Sequence, residues 1–166
     1  ANPARNIRWA LQAEQLGTGH AVQQTMPDTP GENRILILAG DVPLLTPKTL
    51  ARLLRETPLT DMAVLTVDMD DPTGYGRIVR ENGGVKRIVE QKDANAEQRA
   101  LTEINTGVIL APGDKLKGWL AKLGNSNSQG EYYLTDVIAM AVADAVEVHG
   151  IKANSSVEVM GINDKK

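Results

Sequence analysis

The chain has 166 residues, enough for one domain or most of one, and its 42% hydrophobic content supports a real core, although with 3% aromatics and no Phe that core must be built from Leu, Ile, Val, Ala and Met. The formal net charge of -3, from 18 basic and 21 acidic residues, argues against a protein held to nucleic acid by its general charge, while leaving room for a local basic pocket. The absence of cysteine excludes disulfides and thiolate metal sites and agrees with a reducing cytoplasm; no apolar run reaches the roughly 18 residues that span a bilayer, and Ala1-Asn2-Pro3-Ala4-Arg5 does not read as a signal peptide.

In chain order, residues 7–11 form a short strand-like run, and Gly17 and Gly19 then sit where a helix starts. Residues 26–33, with Pro27, Pro30 and Gly31, read as a loop. Residues 34–39 are a short aliphatic run ending in Gly40-Asp41, the pattern of a buried strand. Thr46-Pro47 supplies an N-cap and a first-turn proline, and Leu50, Leu53 and Leu54 give the following helix its apolar stripe. A second buried strand is expected over 62–67. A hairpin is expected from 77–79 and 85–89, joined through Asn82-Gly83-Gly84. Further on, 94–101 reads as a short helix and 107–111 as a strand. Leu116, Trp119, Leu120 and Leu123 mark a helix face that Gly124 terminates. A loop over 124–130, a long helix over 134–146 and a last strand over 157–162 complete the pattern. Alternating strands and helices predict an α/β fold with a mostly parallel sheet and one local hairpin. In such sheets ligands sit beyond the carboxyl ends of strands.

Five stretches could carry chemistry there. In Leu38-Ala39-Gly40-Asp41-Val42-Pro43 a strand ends in a glycine that lets a ligand approach the backbone, then in a carboxylate able to hold a hard cation. The structural alternative is that Asp41 caps a turn. In Gln12-Ala13-Glu14-Gln15-Leu16-Gly17-Thr18-Gly19-His20 the glycines expose backbone N–H groups, and the Gln12 amide can pair with a donor and an acceptor on a base edge. An ordinary glycine turn is the alternative. Asp71-Pro72-Thr73-Gly74-Tyr75-Gly76-Arg77 brings glycines up to a strand, either against a sugar or as a tight bend, and Glu90, Asn105 and Thr106-Gly107 each follow or precede an apolar run. Gln129-Gly130-Glu131-Tyr132-Tyr133-Leu134-Thr135-Asp136 combines two tyrosines with a helix start, as binding residues or as packing and capping. Asn163, where the last strand ends, is a possible oxygen ligand or a turn residue.

Taken in order, the segments LQAEQLGTGHA, LAGDVPLL, DDPTGYGRIVRENG, VEQKDA, EINTGV, NSQGEYYLTD and VMGIN resemble the uridylyltransferase domain of the bifunctional N-acetylglucosamine-1-phosphate uridyltransferase / glucosamine-1-phosphate acetyltransferase family, across essentially the whole chain. LAGDVPL is shared by many sugar nucleotidyltransferases; QLGTGHA together with QGEYYLTD is more specific. The resemblance implies a Rossmann-like nucleotidyltransferase fold and transfer of a uridylyl group from UTP to N-acetylglucosamine 1-phosphate, giving UDP-N-acetylglucosamine and pyrophosphate. On it, Gln12, Gly17 and Thr18 match positions that hold the uracil and ribose. Ala39, Gly40 and Asp41 match the strand end at the nucleotide, Asp41 being a ligand of Mg2+ and Asn163 its second protein ligand. Gly76, Glu90 and Asn105 match contacts to the N-acetylglucosamine part, and Thr135 a contact near the sugar phosphate.

Three departures qualify the match. Ala39 stands where relatives often carry a larger residue such as Tyr. The family's opening strand and Gly-rich loop, with an Arg and a Lys against the triphosphate, have no counterpart in the sequence. Nor is there a hexapeptide-repeat β-helix, the family's acetyltransferase half and the source of its trimer. The resemblance therefore implies residues 1–166 as part of a cytoplasmic nucleotidyltransferase domain, inactive or nearly so alone. No nucleic acid or stable membrane anchor is expected. The alternatives are a non-catalytic sugar-nucleotide module and a nucleotidyltransferase for another sugar 1-phosphate.

Overall fold

The computed structural model describes residues 7–159. Its helices and strands run α1 (Thr18–Thr25), β1 (Arg34–Ile37), α2 (Pro47–Glu56), β2 (Met62–Asp68), β3 (Arg77–Glu81), β4 (Gly84–Val89), α3 (Ala96–Arg99), β5 (Glu103–Pro112), α4 (Gly113–Leu120), α5 (Asp136–Ala143) and β6 (Val148–Lys152). Short-range chemistry accounts for several of these. Thr46 caps α2 by accepting from the Thr49 backbone N–H at 3.3 Å, with Pro47 in the first turn. Asn95 and Gln98 exchange side-chain and backbone hydrogen bonds as a capping box on α3. Asn82 and Gly83 both have positive φ (50° and 85°), the type I′ geometry that closes the β3–β4 hairpin.

The strands form one sheet in the order β4-β3-β5-β2-β6, with β1 also paired to β5. One apolar cluster covers one face, where Leu116, Trp119 and Leu120 of α4 and Val137 and Ile138 of α5 meet Met62, Val64 and Ile109. On the other face Leu53 of α2 packs on Ala63, Leu65, Ile104 and Leu110. The Arg80 guanidinium forks onto Glu103 (2.8 and 2.7 Å), which also accepts from Thr66 at 2.7 Å, tying β3, β5 and β2 together. Among the described residues no helix is long and apolar enough to cross a membrane.

The α/β class and the hairpin are as the sequence implies, but the sheet is not mostly parallel. Among the described pairs, β2–β6 is parallel and the others are antiparallel. The reason is topological: β1 and β2, joined through α2, do not pair with each other, because β5 lies between them and runs against both. Other expectations also change. Residues 7–11 take no strand conformation, and Trp9 is 91% exposed. β1 is half-buried, since β5 is its strand partner among the described residues. α4 ends at Leu120 rather than at Gly124. Val157–Val159 is a 3-10 turn, and the rest of the expected last strand, with Asn163, lies outside the described residues. β6 was not expected.

Candidate functional site

The site originates in a fork in the sheet. One edge of β5 pairs with β1 through Ile109↔Ile37 and with β3 through Ile104↔Arg77, so β1 and β3 diverge from the same strand. Between these contacts β5 bulges. Thr66↔Asn105 and Val64↔Ile109 leave residues 106–108 opposite the single Leu65. Gly107 sits in the bulge with φ +80, and a Cβ there would stand 3.2 Å from the Cβ of Ala39. Glycine is needed both for the backbone and for this approach. The bulged N–H groups turn to nearby side chains: Gly107 N donates to Asn105 Oδ1 (3.0 Å), and Val108 N to Thr106 Oγ1 (3.4 Å).

A cavity of about 260 Å3 fills the fork, and five of the sequence candidates line it: Thr18, Ala39, Glu90, Asn105 and Thr135. Ile37, Val22, Ile109 and Leu134 supply its apolar walls. It opens at the carboxyl end of β1, where an α/β sheet is expected to take a ligand. Gly76 stands beside it: its carbonyl accepts from Asn105 N at 2.8 Å, and a Cβ on it would lie 3.4 Å from a Glu90 carboxylate oxygen. Thr135 donates its hydroxyl to Glu90 Oε1 at 2.8 Å. A larger cleft of about 490 Å3 lies on the other side of Glu90, between Arg87, Asp93, Tyr133 and Asp136. Of the positions the resemblance implies, Glu90 reaches that cleft, beside Tyr133 and Asp136 of the tyrosine stretch, whereas five of them line the smaller cavity, which is therefore taken as the candidate site.

Burial pushes the Glu90 carboxyl above its usual range, against the Thr135 hydrogen bond, and the nearby Asp136, Asp93 and Glu131 charges add to the rise. A raised carboxyl binds its proton more tightly in the folded than in the unfolded chain. Its stabilising share is therefore complete below the ordinary Glu range and is lost as pH rises through the folded value. Glu90→Gln keeps an acceptor for Thr135 and removes the charge. Its urea midpoint at pH 7 is expected to exceed that of the wild type, with the gap closing as pH falls toward 4. A wild-type midpoint at pH 7 would count against Glu90 as a strained, site-facing carboxylate.

The α1 entrance is built by backbone pairing with the segment before α5. Tyr132 N donates to Leu16 O and Gly19 N to Tyr132 O, both at 2.8 Å, and Leu134 N donates to Thr18 Oγ1 at 3.1 Å. The Gln12 amide nitrogen is occupied within the protein, 3.1 Å from both Gly17 O and His20 Nδ1. Its carbonyl oxygen makes no hydrogen bond among the described residues, so one half of the amide is free to read a base. Gly40 and Asp41 follow Ala39 into an exposed turn. An added Cβ on Gly40 would meet nothing within 4 Å, so the fold does not itself demand glycine there. The Asp41 carboxylate has no hydrogen-bond or ion-pair partner among the described residues. A free hard-oxygen donor at a strand end fits Mg2+, which retains waters and phosphate oxygens in its shell.

Sequence reasoning missed Asp93 and the backbone of 132–134. Asp93 accepts from Ser128 N (3.0 Å) and from the Tyr133 hydroxyl (3.1 Å), fastening the loop before α5 to the turn after β4. Tyr133 thus acts as a buried post, while Tyr132 contributes through its backbone. The adjacent tyrosines marked the segment, but no local pattern identified Asp93, 40 residues away, as their partner.

No protein-family model matches the chain. Solved structures do resemble it. One is UDP-glucose pyrophosphorylase complexed with UDP-glucose, with a TM-score of 0.61 and 18% identity over 85% of this chain and 56% of that one. Another, described as a glucose-1-phosphate thymidylyltransferase from Bacillus anthracis in complex with a sucrose, has a TM-score of 0.59 and 16% identity over 85% and 55%. The fold is that of the sugar-nucleotide transferases. Within it, the present chain spans little more than half the length of the structures it matches.

Proposed function

We propose that the chain is part of the nucleotide-transferring domain of a UTP-dependent N-acetylglucosamine-1-phosphate uridylyltransferase. The observation that carries this reading is the convergence of Thr18, Ala39, Glu90, Asn105 and Thr135, drawn from five separate motifs, on one cavity of the sugar-nucleotide transferase fold. At about 260 Å3 the cavity is smaller than the roughly 300–1,000 Å3 of a drug-sized ligand site and suits one ring moiety. Glu90 and Asn105, with Gly76 at their side, face a sugar and can accept from and donate to its hydroxyl and acetamido groups. Gln12, Gly17 and Thr18 flank the α1 entrance as the uridine side.

The nucleophile is a phosphate oxygen of the sugar phosphate, already an anion, which attacks the α-phosphorus of UTP as pyrophosphate leaves. No general base is needed, and catalysis consists of positioning and charge neutralisation. Asp41, with Asn163, would hold Mg2+, which when bound offsets negative charge on the phosphates. On this reading the enzyme supplies a cytoplasmic precursor for cell-wall and lipopolysaccharide synthesis.

The test is pyrophosphate release by the full-length protein from UTP with N-acetylglucosamine 1-phosphate, beside glucose 1-phosphate. Turnover that depends on the N-acetyl sugar supports the proposal. Preference for glucose 1-phosphate would favour a transferase closer to the structural neighbours, a UDP-glucose pyrophosphorylase and a protein described as a glucose-1-phosphate thymidylyltransferase. Binding of UDP-N-acetylglucosamine without turnover would point to a non-catalytic module.

A further inference from the structure

Away from the fork, two adjacent parallel strands bring together Asp61, Glu147 and His149. Met62 of β2 pairs with Val148 of β6, and Ala63 with His149. This register puts residues 61, 147 and 149 on one face of the sheet, since side chains two apart along a strand point the same way. That face is the one carrying Ala63 and Leu65, and the triad sits at its rim. Asp61 lies five residues before Thr66, roughly 17 Å along β2 from the Asn105 end of the site.

We infer that Asp61, His149 and Glu147 form a binding site for a divalent transition-metal ion, separate from the phosphate-binding end of the molecule and independent of the proposed transferase function. One ligand atom from each lies within 4.8 Å of the others. His149 Nε2 and Asp61 Oδ2 are 2.8 Å apart, and Glu147 Oε1 approaches the other ring nitrogen at 4.0 Å. In the metal-free protein this contact is a hydrogen bond, so the ring proton must leave Nε2 for an ion to bind there. A neutral imidazole nitrogen beside carboxylates suits borderline ions such as Co2+, Ni2+, Cu2+ or Zn2+. Glu147, 74% exposed, is free to swing in as the third ligand, and water completes the shell.

The surroundings are those of metal ligands. Asp61 and His149 side chains are 17% and 24% exposed, so both are held. The Thr60 hydroxyl donates to the other Asp61 oxygen at 3.0 Å, orienting the carboxylate from outside as the outer partners of metal ligands do. Among the described residues neither carboxylate is paired with a lysine or arginine, leaving the imidazole to face two acids. An imidazole in the set selects borderline ions over Mg2+, which takes oxygen ligands.

The experiment titrates Co2+ into the full-length, untagged protein in excess Mg2+, followed by calorimetry and by paramagnetic broadening of backbone amide NMR signals. The expected result is saturable one-site binding that Mg2+ does not displace, with broadening centred on residues 61, 147 and 149. His149→Gln is expected to weaken it at least tenfold and Glu147→Gln about threefold. Because broadening is read on the wild type, a poorly folded His149 variant leaves the test intact. No saturable uptake, displacement by Mg2+, or broadening centred on His20 or Asp41 would overturn the assignment.

Discussion

Asp41→Asn in the full-length protein is expected to reduce UTP-dependent pyrophosphate release by about 10²- to 10³-fold, the scale of losing one charge-stabilising group at a reacting centre. The substitution keeps the shape and removes the charge that would hold Mg2+ at the phosphates. It also separates a catalytic from a structural role. Asp41 is exposed in the turn after β1 and bonds to nothing among the described residues. The melting temperature should therefore stay near the wild-type value, within the roughly 0.5 kcal/mol typical of surface changes. A near-normal rate would remove Asp41 from the mechanism. A large loss of rate with an equal loss of stability would assign it to the fold instead.

Gly17→Ala is expected to produce the largest loss of stability at the site. Gly17 has φ +110, and a Cβ there would meet the Tyr132 carbonyl oxygen at 2.7 Å and the Glu131 Cβ at 2.9 Å. Backbone atoms held by the Leu16–Tyr132 and Gly19–Tyr132 hydrogen bonds cannot step aside cheaply. Strain at such a φ costs about 1–3 kcal/mol, and overpacking a further 1–3 kcal/mol or so. The melting temperature of a chain this size should then fall by roughly 10 °C. Displacing α1 also carries Thr18 away from Leu134, so UDP-sugar affinity should fall with it. Gly118→Ala is the control: it lies in α4 with nothing within 4 Å of an added Cβ, and alanine there should match or raise the wild-type melting temperature. If Gly17→Ala melts with the wild type, the docking of α1 on residues 131–134 is not as described.

The sequence was most legible where structure is decided within a few residues. Thr46-Pro47, Asn82-Gly83 and the Leu116–Trp119–Leu120 spacing each carry their own geometry, and α2, the hairpin and α4 follow from them. Where a strand is decided by its partner, the pattern was mute or misleading. Val148-His149-Gly150-Ile151-Lys152 shows no convincing alternation, yet β2 holds it as β6. Residues 7–11 look more strand-like and find no strand partner among the described residues. Strand direction failed for the same reason, since nothing near β1 or β2 announces that β5 inserts between them. The candidate residues were legible as separate stretches, and that Thr18, Ala39, Glu90, Asn105 and Thr135 share one cavity required the fold, while Asn163 lies outside the described residues. Asp61 and His149 were invisible as a pair, because 88 residues separate them and sheet register alone aligns them.

The fork also divides β5 into segments of unequal local stability. Its ends are held by ladder bonds to β1 and β3, while the amides of Gly107 and Val108 rest on the side chains of Asn105 and Thr106. Side-chain acceptors release an N–H by a rotamer change, without parting two strands. The middle of the central strand should therefore exchange its amide hydrogens faster than either end, the reverse of ordinary end fraying. Of the two, Gly107 lines the cavity, so an occupant that stills the Asn105 side chain would slow exchange of its amide first. That amide is a built-in reporter of occupancy that needs neither turnover nor a labelled substrate.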